Sequence, residues 1–200
     1  FCRNFNFKIL PEGLNKFFNV QYIARKSKID EHHEINLQNV TIASNIFKFI
    51  YHVISTFKNK NTKYYIITIT PYTFLAFLFL FLFRKKVFVY LISSGYEEWK
   101  FILGSWSIWI YHIMYSIVTS GATVIALHER LYKKKNGYVI ESSTLTTEWL
   151  KDIKKPNLDK IRFLNVSRVN PEKGIFEFLE MFKELNIDAE ISIVGKIKNL

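Results

Sequence analysis

One connection of the chain combines two cationic side chains with a glycine. Residues 165–174, with the sequence NVSRVNPEKG, separate an apolar run from an amphipathic one. The pair Asn170-Pro171 is typical of a helix start, which predicts that Gly174 lies inside the first helical turn. Because glycine there costs up to ~1 kcal/mol relative to alanine, we expect a ligand to approach its backbone closely. Arg168 and Lys173 would add positive charge to the free amides of a helix N-terminus, as in an anion site. An ordinary exposed loop with solvated charges is the alternative.

The elements around this connection are predicted to form a strand–helix–strand unit, with strands at 161–166 and 189–194 and a helix at 175–185. Other short, β-branched or aromatic runs predict strands at 19–24, 40–43, 64–70, 87–92, 123–127 and 138–140. Helical periodicity predicts helices at 45–60 and 105–118, and a further helix that starts at Pro71. Strands that alternate with helices predict an α/β fold with an open, mostly parallel, doubly wound sheet.

Two uncharged stretches support a second interpretation. Residues 64–83 and 101–120 contain no Lys, Arg, Asp or Glu, and each has about the 20 residues of a membrane span. An integral membrane protein with two spans is therefore one alternative. However, the β-branched residues 64–70 resemble a strand, and Thr70-Pro71 is typical of a helix start. Arg84-Lys85-Lys86 then suits the negative end of that helix dipole. These features favour buried strands and helices over spans.

Composition limits the classes of partner. With 49% hydrophobic and 22% charged residues, the chain can bury a sizeable core. Its net charge of +11 favours an anionic partner, which is a nucleotide phosphate, an anionic membrane surface or nucleic acid. The signatures of known nucleic-acid modules are not found, so nucleic acid is not expected. The single cysteine excludes an intramolecular disulfide and fits a reducing, cytoplasmic setting.

A polar segment divides the chain. Residues 151–160, KDIKKPNLDK, are charged and contain a proline, and predicted α/β regions lie on both sides. We therefore expect an N-terminal domain at 1–152 and the start of a second domain at 153–200. Since the chain begins without Met and ends soon after a predicted strand, we expect both ends to be cut. The first domain would then lack its first strand, and the 200 residues alone would be inactive.

Polar residues follow two predicted strands of the first domain. Ser94 and Glu97 lie in one such connection, and His128 and Glu129 lie in another. Ligands of open α/β sheets bind beyond the carboxyl ends of the strands, so these side chains are candidates for ligand contacts. Each of them also fits a solvated turn or a structural role. No group of side chains has metal-ligand spacing, so no metal site is predicted.

The segment FLNVSRVNPEKGIFEFLEMFKEL resembles the start of the second domain of retaining glycosyltransferases of GT-B fold, in the large group 1 class (family 4). Members commonly have a strand that ends in Gly-Arg, a loop with Pro-Glu-Lys-Gly and an amphipathic helix. The resemblance covers roughly residues 161–195, and Ser167 replaces the usual glycine. It implies that Arg168, Lys173 and Gly174 bind the diphosphate of a nucleotide-sugar. The paired glutamates of the family would lie beyond Leu200, so no catalytic residue is assigned.

The resemblance implies an enzyme of glycan or polysaccharide biosynthesis with two Rossmann-like domains. It would transfer a sugar from a nucleotide-sugar to a saccharide or lipid-linked acceptor, without a metal or another cofactor. Ser94 and Glu97 would then be candidates for contact with the acceptor, and His128 and Glu129 for contact with the acceptor or the donor. The basic, aromatic-rich first domain predicts a cytoplasmic protein that docks peripherally on the inner face of the membrane. A non-catalytic nucleotide-binding α/β module is the remaining alternative.

Overall fold

Helices and parallel strands alternate along the chain in the computed structural model, which describes residues 6–27, 33–132, 137–140, 151, 160–167, 169, 173–185 and 187–195. The helices are α1 (Asn6–Asn15), α2 (Ile46–Ser55), α3 (Pro71–Leu82), α4 (Tyr96–Leu103), α5 (Ser107–Gly121) and α6 (Ile175–Glu184). The strands are β1 (Tyr22–Arg25), β2 (Val40–Ala43), β3 (Tyr64–Ile67), β4 (Val87–Leu91), β5 (Thr123–Ala126), β6 (Gly137–Val139), β7 (Ile161–Val166) and β8 (Ala189–Val194). One-turn 3₁₀ helices follow at Thr56–Lys58 and Glu129–Leu131.

The largest sheet has four parallel strands in the order β3-β4-β5-β6, and helices flank it. Two further parallel pairs are β1-β2 and β7-β8. These observations confirm the α/β class and the parallel pairing. The order of the four strands follows the chain. The reversal of order that defines a doubly wound sheet is not found among the described strands, so that finer prediction stays a prediction.

The internal contacts divide the chain into two compact units. The first unit comprises Phe1–Gly95 and Trp109–Glu141, and the second comprises Tyr96–Ile108 and Ser142–Leu200. The second unit therefore includes α4 as well as the β7–α6–β8 segment. The sequence-based boundary between 152 and 153 stays a prediction, because residues 152–159 lie outside the described ranges.

The core of the first unit is built on the middle of the four-stranded sheet. Ile66 pairs with Val89 and Val89 pairs with Val124, so the three side chains form one row across β3, β4 and β5. All three are buried, and so is Tyr90, whose side chain points to the opposite face of β4. A central parallel strand is covered on both faces, which explains the continuous apolar sequence that was predicted as a buried strand.

The uncharged stretch 64–83 is divided between β3 and α3. Thr70 caps α3 in a capping box with Thr73, in which the Thr73 N–H donates to Thr70 Oγ1 at 3.3 Å and the Thr70 N–H donates to Thr73 Oγ1 at 2.8 Å. Pro71 takes the first helical position, as predicted. None of the helices in the described part of the chain is long and apolar enough to cross a membrane.

Candidate functional site

The β7–α6–β8 segment of the second unit is the predicted strand–helix–strand unit. Its strands run parallel from the pair Ile161–Ala189 to the pair Val166–Val194. The helix begins at Ile175, and its N-cap is Gly174 in the left-handed conformation with φ 66°. The prediction that Gly174 lies inside the first helical turn is therefore wrong, and the predicted cap Asn170 lies outside the described residues. Glycine is favoured here because other L-residues pay for a left-handed backbone.

Lys173 directly precedes this cap, and it is exposed. The Phe178 N–H donates to the Gly174 carbonyl oxygen at 2.9 Å, which begins the helical hydrogen-bond pattern. The amides before Phe178 have no carbonyl partner inside the helix. Since the cap residue is glycine, it offers no side chain to accept from them. Arg168 lies outside the described residues, as do residues 170–172, so the predicted pairing of Arg168 with Lys173 stays a prediction.

A carboxylate also lies at the start of α6. Glu177 is in the first turn, and its Oε2 is 3.9 Å from the position that a Cβ on Gly174 would occupy. A negative side chain there is favoured by the positive end of the helix dipole. It would compete with any anion for the same amides. The sequence contained this signal, because Glu177 follows Gly174 at helical spacing.

The ends of β7 and β8 approach each other closely at Ser167 and Gly195. The Ser167 N–H donates to the Val194 carbonyl oxygen at 3.1 Å, and a Cβ on Gly195 would overlap the Ser167 carbonyl group. Gly195 is therefore required by backbone packing at this point. Ser167 is not among the described non-glycine residues with positive φ, so its backbone tolerates serine where the resembled family has glycine.

The first unit places two predicted residues after neighbouring strands. Ser94 follows β4, and His128 follows β5, with Leu91 paired to Ala126 near the strand ends. His128 and Glu129 line an open groove of about 640 Å³ together with Arg130 and Leu131. His128 and Glu129 are therefore accessible to a polar ligand.

Glu97 has a different position from the one predicted. It lies with Glu98 in the first turn of α4, where both carboxylates complement the helix dipole, and not in a loop. The helix belongs to the second unit, whereas Ser94, His128 and Glu129 belong to the first. Sequence reasoning missed α4, since its short amphipathic pattern is interrupted soon afterwards by Gly104.

One feature at the carboxyl end of β3 was missed. Thr68 has φ 64°, which is uncommon for a β-branched residue. Its carbonyl oxygen accepts from Thr73 Oγ1 at 3.0 Å, and its N–H donates to the Tyr90 carbonyl oxygen at 3.3 Å. The left-handed turn ends β3 at Ile67 and not at Thr70 as predicted. A strained backbone of this kind is found at functional sites, and no sequence signal identifies it.

The described ranges contain no group of three or more His, Cys, Asp or Glu side chains that could hold a metal ion. In comparisons with known proteins, no family model matches the chain, and no curated protein or solved structure is significantly similar to it.

Proposed function

We propose that this chain is part of a glycosyltransferase that moves a sugar from a nucleotide-sugar to a saccharide or lipid-linked acceptor. The observation that carries the proposal is the start of α6. Lys173 and the left-handed Gly174 precede a helix that joins two parallel strands. Strand–helix–strand units bind nucleotide phosphates at this position, because the helix amides point towards the carboxyl edge of the sheet. The resemblance of residues 161–195 to GT-B glycosyltransferases implies that this phosphate is the diphosphate of a sugar donor.

The proposed reaction is a substitution at the anomeric carbon of the sugar. The bond from this carbon to the diphosphate oxygen breaks, and a bond to the acceptor hydroxyl oxygen forms as that hydroxyl transfers its proton to the leaving diphosphate. Negative charge develops on the leaving diphosphate. Fixed cations and helix amides stabilise such charge more in the transition state than in the ground state. Lys173 would act as a point charge and Arg168 as a bidentate donor to two phosphate oxygens.

The first unit would hold the acceptor at the carboxyl edge of its four-stranded sheet. Ser94 can donate and accept hydrogen bonds, and so can the imidazole of His128. Glu129 can accept from sugar hydroxyls in the open groove that it lines. Docking of the protein on the inner face of the membrane would bring a lipid-linked acceptor within reach.

Titration of the purified 200-residue chain with nucleoside diphosphates tests the donor site. UDP, GDP and ADP are each added, and binding is measured by calorimetry and by the shift of the thermal midpoint. Lys173→Ala should weaken the preferred nucleoside diphosphate about tenfold or more, because a hydrogen bond to a charged group is lost. Lys183→Ala serves as the control, since Lys183 lies in the last turn of the same helix.

Equal affinity in Lys173→Ala and Lys183→Ala would contradict the assignment, and so would the absence of any binding. A preference for ATP over all nucleoside diphosphates and nucleotide-sugars would indicate the alternative, a nucleotide-binding module without transfer. Sugar transfer itself is measured in the full-length protein with labelled nucleotide-sugars, because the 200 residues alone are expected to be inactive. Lys173→Ala should lower transfer in proportion to donor affinity or more.

A further inference from the structure

The charges of the first unit are separated along the chain. No Asp or Glu lies between Glu34 and Glu97. Six cations of this segment lie near the amino ends of β3 and β4. They are Lys58, Lys60, Lys63, Arg84, Lys85 and Lys86. Lys63 directly precedes β3 and Lys86 directly precedes β4. Because Tyr64 pairs with Val87 in parallel strands, the two lysines lie at the same edge of the sheet. This edge is opposite the carboxyl edge that carries Ser94 and His128.

Contacts between the 3₁₀ turn Thr56–Lys58 and the carboxyl end of α3 bring the cations of these two segments together. Lys85 Nζ donates to the Phe57 carbonyl oxygen at 3.1 Å and lies 5.0 Å from the centre of the Phe57 ring. The rings of Phe57 and Phe83 are 5.1 Å apart. The 3₁₀ turn that carries Lys58 is therefore held against the end of α3, beside Arg84. No acidic side chain is available in this part of the sequence to neutralise the group.

Large apolar side chains are exposed directly before these cations. Leu82 is 73% exposed, Phe81 is 59% exposed and Phe83 is 55% exposed. Phe81 and Leu82 also line an open groove of about 690 Å³, together with Arg84 and Lys85. Exposed apolar residues that adjoin each other mark interaction surfaces, whereas scattered ones need no explanation.

Arg84 occupies a position that glycine would fill with less strain. The Arg84 N–H donates to the Phe81 carbonyl oxygen and the Lys85 N–H donates to that of Leu80, which is a Schellman motif at the end of α3. Arg84 takes the left-handed place in this motif with φ 51°. Glycine is the usual residue there. A cation held in a strained position, beside exposed apolar side chains, suggests a function for its charge.

We propose that this surface, the basic–aromatic edge formed by residues 81–86 with Lys58, Lys60 and Lys63, docks on an anionic lipid bilayer. Phe81, Leu82 and Phe83 would enter the headgroup region, and the cations would contact lipid phosphates. A leucine has no aromatic face on which a base could stack, and it is the most exposed of the three apolar residues. The combination therefore fits a bilayer better than a nucleic acid. The proposal is independent of the donor site, which lies in the other unit.

Co-sedimentation of the 200-residue chain with vesicles tests the proposal. Vesicles of phosphatidylcholine alone are compared with vesicles that also contain phosphatidylserine, at about 0.1 M salt. Binding to the anionic vesicles should be stronger and should fall as salt increases. Removal of one cation should weaken it about fivefold, so Arg84→Gln with Lys86→Gln should weaken it about 25-fold. Leu82→Ser should weaken binding to anionic vesicles with no change in salt dependence.

Matched controls are available at the start of α2, at the opposite end of that helix from the 3₁₀ turn that carries Lys58. There Phe47 is an exposed aromatic residue and Lys48 an exposed cation. Phe47→Ser and Lys48→Gln should leave vesicle binding unchanged. Equal binding to neutral and anionic vesicles would overturn the proposal. Equal losses of vesicle binding in the control variants would also overturn it. A third contrary result would be a labelled DNA oligonucleotide that displaces the chain from vesicles and binds the Arg84/Lys86 variant more weakly. Circular dichroism confirms that each variant is folded.

Discussion

The ring of Tyr111 lies directly against the backbone of Gly95, at the turn that follows β4. A Cβ on Gly95 would lie 2.9 Å from Tyr111 Cε2 and would overlap the phenol end of the ring. Gly95 also has φ 72°. Gly95→Ala should therefore destabilise the protein by about 2–5 kcal/mol, as the sum of left-handed strain and overpacking. Denaturant unfolding measures the change.

Gly104 provides the control for this prediction. It has φ 89°, but the nearest atom to its added Cβ is Trp106 Cδ1, at an ordinary contact distance of 3.5 Å. Gly104→Ala should thus show the backbone strain alone, at about 1–2 kcal/mol. If the two variants lose the same stability, the contact with Tyr111 does not contribute as described.

Glu177→Gln should strengthen anion binding at the start of α6. The Glu177 carboxylate lies near the Gly174 cap and competes with a phosphate for the helix amides. Its removal should raise the affinity for pyrophosphate or a nucleoside diphosphate about two- to fivefold, which corresponds to a dipole interaction of ~0.3–1 kcal/mol. Helix stability should fall by a similar amount.

Glu180→Gln is the matched variant, because Glu180 carries the same charge on the same helix, one turn further along. It should change the affinity less than Glu177→Gln does. Equal gains in both variants would show a general effect of net charge and would argue against an anion site at the helix start. Isothermal titration calorimetry at two salt concentrations separates these outcomes.

Arg84→Gly should have opposite effects on stability and on membrane binding. Glycine relieves the left-handed strain at the end of α3, which should stabilise the fold by up to ~1 kcal/mol. For a chain of this size, that corresponds to a rise of about 2–4 °C in the thermal midpoint. Binding to anionic vesicles should fall about fivefold because one cation is lost. If the variant gains stability and keeps its vesicle affinity, the result would contradict the proposal that the strained Arg84 serves membrane binding.

Tyr65 should make the protein less stable at alkaline pH. Burial, and secondarily the negative charge of an ionised Tyr90, raise the pKa of the Tyr65 phenol above its usual value of about 10. Above about pH 10 the unfolded chain releases this proton while the folded chain retains it, so stability is full below pH 10 and falls as pH rises further. Tyr65→Phe should flatten this alkaline decline in the free energy of unfolding. The decline should persist in Tyr51→Phe, since Tyr51 is exposed.

Local sequence patterns were sufficient for several elements. Thr70-Pro71 predicted the start of α3, because a capping hydroxyl and a proline act within one helical turn. The strand–helix–strand order at 161–194 was predicted for the same reason, since period and composition are local properties. The absence of acidic residues between Glu34 and Glu97 is likewise visible in the sequence alone.

Only the tertiary structure decided which of these residues meet. The order of β3 to β6, the packing of Tyr111 on Gly95 and the close approach of Ser167 to Gly195 join residues distant in the chain. Their pairing depends on strand register and packing, which no local pattern encodes. The left-handed conformations of Thr68, Arg84 and Gly95 also had to be observed, because three different residue types adopt them, each in a different local setting. The sequence by itself therefore determined most of the elements and the charge, whereas the tertiary structure decided the positions of α1 and α4 and the geometry of the candidate sites.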